Sequence, residues 1–405
     1  MIEVDPTQSD YLPALAELAV RFGANLQPGQ ILAITSEPGK EALARAVAEQ
    51  AYSCGALFVD LSVFDVHFKR ARARHASPDT LRFVPPWLGE RALALGEHRC
   101  ARVALTGPAA PHALDGVDPA LLGLDMLPAL AESMQVVDAA TTNWTAVPGP
   151  TAAWAALVHP HLSPAQALGR LWAQVAHMCR LDVSDPVAAW RERLDTLTRT
   201  AQKLDDLRLD CLRFQGPGTD LEIGLLPSSH WCAARFTTVD GIEHAPNLPT
   251  EEVFTSPDPE RVEGVVTATK PLFTAGTTIT GLKVTFVGGR AVAIEAEEGA
   301  EALRGISERD DGAGRLGEVA LVDREGRIGP LETVFYDTLI DENAASHIAI
   351  GQGYEIGVSD SAERPRVNHS DVHVDFMIGG DEVAVTGRYA DGREVPLLRA
   401  GAWQI

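Results

Sequence analysis

Between Ile31 and Ala139, short apolar runs alternate with helix-like stretches, and this alternation constrains the fold more than any other feature. Ile31–Ser36 reads as a buried strand, Glu41–Ser53 as an Ala-rich amphipathic helix, and Ala56–Phe64 as a second strand. Arg70–His75 reads as helical, Pro85-Pro86 breaks the chain, and Leu88–Gly96 is helical again. Arg102–Thr106 reads as a strand, Pro119–Met134 as mostly helix, and Val136–Ala139 as a short strand. Apolar strands separated by helices of this length predict βαβ units around a parallel sheet.

A turn-rich segment, Asn143–Pro150, leads into two helical tracts, Gln166–Cys179 and Val187–Leu204, the first with apolar residues at helical spacing. From Cys211 the texture changes. Leu221–Leu226 and Thr278–Val287 read as strands, Val292–Ala296 follows the turn signal Gly288-Gly289, and Val372–Ile378 and Glu382–Thr386 bracket Gly379-Gly380. The expected architecture is an α/β N-terminal domain over residues 1–205 and an α+β C-terminal domain, rich in antiparallel strands, over residues 206–405.

Composition excludes several function classes. The net charge is −22, which argues against a nucleic-acid partner because phosphate-backbone binding relies on clustered Lys and Arg. The same balance suits cationic ligands and divalent metals. No apolar run reaches the roughly 18 residues of a membrane span. The opening Met1-Ile2-Glu3-Val4-Asp5-Pro6 has no basic stretch ahead of an apolar one, so no signal peptide is expected. Cys54, Cys100, Cys179, Cys211 and Cys232 are scattered, odd in number and without a CxxC pair. Free thiols in the reducing cytoplasm are the expected reading, and any metal must be held by histidines and carboxylates.

Such residues occur in the C-terminal half. His373 and Asp375 are two apart in the strand-like run Val372–Ile378, so an imidazole and a carboxylate project from one face. Asp341–His347 (DENAASH) ends in a second histidine; Asp341 or Asn343 is expected to cap a helix with His347 on its inner face. Glu252 directly precedes Val253-Phe254, and Glu318 lies inside the apolar run Leu316–Val322. A glutamate buried in such a run is costly unless it is paired or ligating.

Four segments resemble the aminopeptidase T / aminopeptidase S family of metallopeptidases: Asn247–Pro257 (NLPTEEVFTSP), Leu316–Val322 (LGEVALV), Asp341–Tyr354 (DENAASHIAIGQGY) and Val372–Gly379 (VHVDFMIG). Leu26–Gln30, Asn143–Thr145, Pro150–Ala155 and Gly216–Leu221 extend the likeness over nearly the whole chain. The resemblance implies five metal ligands, Glu252, Glu318, His347, His373 and Asp375, and an active-site tyrosine at Tyr354. Glu251 beside Glu252 raises a question of register, and the family pattern selects Glu252. Five ligands with one bridging carboxylate give each of two divalent ions three protein contacts, with room for a shared water. Zinc is the expected metal, with cobalt or manganese as alternatives. Tyr354 is then placed to donate its O–H to an oxyanion and Glu252 to act as general base. The implied activity is release of the N-terminal residue from short peptides. The N-terminal half would supply architecture and help form a homodimer around an enclosed cavity.

Two other readings compete. A mononuclear iron ring-opening dioxygenase, of the dihydroxypyridine type, resembles the same family but does not need both glutamates. A non-catalytic peptide-binding protein would not need the complete ligand set. Elsewhere, Gly351–Gly357 does not spell a dinucleotide fingerprint, and His159-Pro160-His161 is expected to lie in a solvated loop. Lys69–Arg74 is expected to be a solvated helix face, and Ser228-Ser229-His230 carries little weight because triads form in space.

Overall fold

The computed structural model describes residues 8–125, 127–128, 130–274 and 277–405. The chain divides into two compact units. One comprises the chain through Glu192 with Ala234–Pro249, and the other comprises Arg193–Ala233 with Thr250–Ile405.

The first unit is α/β. Strands β1 (Ile31–Ser36), β2 (Phe58–Val63), β3 (Ala101–Thr106) and β4 (Trp144–Pro148) form a parallel sheet in the order β2-β1-β3-β4. Leu32, Ala33 and Ile34 of β1 are buried, as expected for an inner strand covered on both faces. Helix Glu41–Ser53 joins β1 to β2 and buries Leu43, Ala44, Val47 and Ala51, one face at helical spacing. Helix Pro164–Met178 starts with Pro at its first position, and the Ser163 backbone N–H donates to Gln166 Oε1 at 3.3 Å, so the orphan donors of its first turn are partly satisfied.

Three expectations are corrected here. Val136–Ala139 is not a strand; Ala131–Asp138 is a helix, and the fourth strand is Trp144–Pro148, within the segment read as turns. The polar and Gly-Pro residues flanking Trp144-Thr145-Ala146-Val147 masked a run with high strand propensity. Pro119–Met134 holds two helical pieces, Pro119–Leu124 and the start of Ala131–Asp138, rather than one; residues 126 and 129 lie outside the described set. His159 is not solvated: it is buried, and its Nε2 lies 2.7 Å from Oε1 of the buried Gln174.

The second unit is α+β and dominated by antiparallel pairs. Its larger sheet runs Arg290–Glu295, Lys283–Val287, Pro257–Thr267, Thr219–Leu225, Cys211–Gly216, Ala384–Arg388, Glu394–Arg399, Ala402–Trp403. The expected strand Thr278–Val287 is split into Thr277–Ile279 and Lys283–Val287, because Gly281 turns the chain at a φ of 61°. The smaller sheet carries the candidate chemistry. Its strands are β5 (Cys232–Ala233), β6 (Glu252–Thr255), β7 (Leu316–Val322), β8 (His347–Gly351) and β9 (His373–Met377), ordered β9-β8-β7-β6-β5. All seven residues of β7 are buried, including Glu318.

His347 does not sit on a helix. Thr338–Asp341 forms one α turn, Glu342–Ala344 one 3₁₀ turn, and Ala345 is extended before His347 opens β8. Ser346 explains the early stop: its Oγ accepts from the Val322 backbone N–H at 3.1 Å, and its carbonyl accepts from the N–H groups of Ile378 and Gly379. The alternating Ile348 and Ile350 that follow favour a strand.

Candidate metal centre

The register of the smaller sheet gathers the acidic and imidazole side chains. Glu252 stands opposite Val322, Ala320 opposite His347, and His347 opposite Met377. One row across three strands reads Glu318, Ala349, Asp375, and the next residue of β9 on that face, His373, pairs with Gly351. Glu318 and Asp375 therefore flank one small side chain, that of Ala349.

Glu252, Glu318, His347, His373 and Asp375 all meet there. His347 Nε2 lies 3.1 Å from Glu252 Oε2 and 3.9 Å from Glu318 Oε1. His373 Nε2 lies 3.4 Å from Glu318 Oε2 and 3.3 Å from Asp375 Oδ1. The two oxygens of Glu318 thus face different histidines. A sixth group joins them: Glu342, on the 3₁₀ turn, forms a potential ligand set with His347 and Asp375, beside the sets Glu252–Glu318–His347 and Glu318–His373–Asp375. Glu342 was missed in the sequence because its segment was read as a helix cap. The available signal was an acid five residues before a ligand-type histidine and followed only by small or polar residues.

Glu251 points away from this cluster. Its Oε2 pairs with Arg193 Nε at 2.5 Å, its Oε1 accepts from the Arg327 backbone N–H at 3.1 Å, and Arg193 also reaches Asp323 at 3.4 Å. Successive residues of an extended chain face opposite sides. Glu252 consequently faces the histidines.

The electrostatics are those of an uncompensated acidic pocket. Burial, and then the charge of Asp375, pushes Glu318 up to about 8. Burial and the carboxylates of Asp375, Glu252 and Glu318 push Glu342 well above the usual range. Burial alone would lower both histidines, but the neighbouring carboxylates outweigh it, lifting His347 to about 9 and His373 to about 10. Protons are held here because negative charge lacks another partner. Asp375 is held below its ordinary value: burial opposes this, and His373 overcomes it.

The residues fit a divalent metal on two further observations. Glu252 Oε2 and Asp375 Oδ1 are buried and have no hydrogen-bond partner of proper geometry, though each is near a histidine nitrogen. Such orphans are expensive unless something else binds them. Each histidine also turns Nδ1 outward to a carbonyl, His373 to Gln352 O at 2.7 Å and His347 to Ala345 O at 3.3 Å. An Nδ1–H donated in that way leaves the Nε2 lone pair directed into the cluster, the arrangement that metal-ligating histidines use.

Tyr354 borders the cluster. Its ring centroid is 5.2 Å from that of His373 and 5.9 Å from that of Phe254. Ser256 clamps its backbone, with Oγ donating to the Tyr354 carbonyl at 2.8 Å and accepting from its N–H at 3.0 Å. Burial and the nearby carboxylates hold the phenol well above its ordinary value, so Tyr354 remains an O–H donor.

Comparison with known proteins places these features in context. The thermophilic metalloprotease family (M29) matches residues 8–403. Aminopeptidase T of Thermus thermophilus is 41% identical over 402 residues, spanning 97% of this chain and 98% of that protein. Aminopeptidase 2 of Geobacillus stearothermophilus is 37% identical, spanning 97% of each chain. The solved structure of wild-type AmpT from Thermus thermophilus superposes with a TM-score of 0.90 at 40% identity, covering 98% of this chain and all of that one.

Proposed function

The chain belongs to the thermophilic metalloprotease (M29) family and is a metallo-aminopeptidase; from that premise we propose that it releases the N-terminal residue of short peptides at a dinuclear centre. The proposed ligands are Glu252, Glu318, Glu342, His347, His373 and Asp375. The observation that carries this reading is Glu318, whose Oε1 faces His347 and whose Oε2 faces His373. A carboxylate shared in this way suits a bridge between two ions. Charge supports the same count, since four carboxylates beside two neutral imidazoles are balanced by two divalent cations.

Bound there, two divalent ions, with zinc preferred over cobalt or manganese, would supply Lewis acidity and a water of lowered pKa. The protein's own groups do the rest. His347 and His373 hold their Nε2 atoms inward through carbonyl contacts on Nδ1. Glu252, with an unpartnered oxygen, is the proposed acceptor for the proton of the attacking water. Tyr354 donates its O–H to the oxyanion of the tetrahedral intermediate, a role that requires the phenol to stay protonated.

A mononuclear iron oxygenase is characterised by two histidines and one carboxylate. The four carboxylates here, and the aminopeptidase relatives, give that alternative no support.

The six residues of the cluster all belong to the second unit, and the proposed role of the first is architecture and homodimerisation. Strand β2 is an edge strand, and Phe58, Leu61 and Val63 on it are exposed, as are Phe68, Phe83 and Trp87. Arg91, one helical turn after Trp87, pairs with Asp60 of β2 at 2.6 Å, which ties that helix to the edge strand. An open strand edge beside exposed aromatics suits a second copy of the chain. All five cysteines are free, which supports a reducing compartment such as the cytoplasm. Among the described residues, no helix is long and apolar enough to cross a membrane.

The test is hydrolysis of leucine and arginine p-nitroanilides by protein purified without chelator. Chromophore release that EDTA abolishes and zinc, cobalt or manganese restores is expected. No release with any of these metals contradicts the proposed activity.

A further inference from the structure

We infer that Asn343 is a positioning residue that sets the relative placement of Glu252 and Glu342 across the metal centre; this rests on the dinuclear reading above. Asn343 is 1% exposed. Its Oδ1 accepts from the Glu251 backbone N–H at 2.7 Å, and its Nδ2 donates to Leu339 O at 3.0 Å and lies 3.5 Å from Glu342 Oε1. One side chain therefore touches the backbone N–H of the residue before Glu252, the helical turn that precedes Glu342, and the Glu342 carboxylate itself.

Such a tie is needed because both glutamates are buried and neither is set against the other by a sheet ladder. They also sit on segments of different kinds, β6 and the 3₁₀ turn Glu342–Ala344, which is not a strand of the sheet. Asn343 supplies the missing register. A second set of contacts fixes the Glu251 end: Arg193 pairs with Glu251 and Asp323, and the Trp403 indole N–H donates to Asp323 Oδ2 at 2.9 Å. With Glu251 anchored from behind, the 2.7 Å contact of Asn343 determines where the 3₁₀ turn docks.

The chemistry of asparagine suits this position: one acceptor and one donor group on a planar, uncharged head. Asn343→Leu removes both, whereas Asn343→Asp keeps the acceptor for Glu251 and turns the other arm into a carboxylate facing Glu342. Both variants are to be titrated with zinc by calorimetry beside the wild-type protein, and the metal-free proteins melted in parallel. We expect one of the wild-type binding steps to weaken about 10- to 100-fold in each variant, the range for outer partners of metal ligands. Should Asn343→Leu fail to fold, the near-isosteric Asn343→Asp carries the test. Folded variants with wild-type affinity and stoichiometry would overturn the inference while leaving the dinuclear reading intact. A wild-type protein that binds no zinc would overturn both.

Discussion

Glu251 and Glu252, adjacent in the chain, face opposite ways: Glu251 Oε2 meets Arg193 Nε at 2.5 Å, and Glu252 Oε2 lies 3.1 Å from His347 Nε2. Two residues of one chemistry thus serve opposite ends. Glu251 joins a buried ion-pair network, and Glu252 joins a cluster where like charges crowd.

Their substitutions should separate stability from function. Glu251→Leu leaves Arg193 buried with only part of its counter-charge and should cost about 3–5 kcal/mol in urea denaturation. Glu252→Gln removes the carboxylate beside His347 but also relieves its repulsion with the neighbouring acids, so the metal-free protein should lose less stability than with Glu251→Leu, while peptidase activity falls at least about 100-fold. Equal destabilisation by both changes would contradict the assignment.

Tyr354→Phe tests the proposed oxyanion donor. Loss of one such donor lowers kcat by about 100- to 1,000-fold. Bound metal should be unchanged, because the phenol is not a proposed ligand. A variant with wild-type kcat would remove Tyr354 from the mechanism.

Burial lowers His244 to about 4 from an ordinary 6.5. It lies in the first unit near Trp144 and Phe236, with ring centroids 6.2 and 6.1 Å away. The unfolded chain takes up this proton first as pH falls. The contribution of neutral His244 is therefore complete above its unfolded pKa and declines until the folded value is reached, by at most about 3 kcal/mol. The wild type should lose stability relative to His244→Gln between about pH 7 and pH 4.5. Parallel stability curves would contradict this.

The proposed dimer rests on the open edge of β2. Leu61→Lys places a charge on the exposed edge strand of the first unit. Light scattering should show a dimer for the wild type and a shift to monomer for the variant. A wild-type monomer at micromolar concentration would refute the assembly.

The sequence disclosed the parts of the fold that follow local rules. The strand and helix alternation of Ile31–Thr106 was legible because each element is long and strongly patterned, and the HxD pair was legible because strand geometry puts His373 and Asp375 on one face. Glu318 stood out as one acid in an otherwise apolar strand. What stayed hidden depends on tertiary docking. Trp144–Pro148 becomes a strand because β3 is there to pair with it, despite flanking turn residues. Asn343 reads as a capping residue, and Glu342 beside it does not stand out, until the 3₁₀ turn is seen against β6 and β9. The direction of Glu251 depends on Arg193, 58 residues away in the chain.

The shared carboxylate of Glu318 is the centre of the account, and metal content tests it most directly. Wild-type protein purified without chelator and reloaded with zinc should carry about two ions per chain. Glu318→Ala should carry about one or fewer and lose p-nitroanilide hydrolysis. A fully active wild-type enzyme with a single ion per chain, or a Glu318→Ala protein that retains both metal and activity, would contradict it.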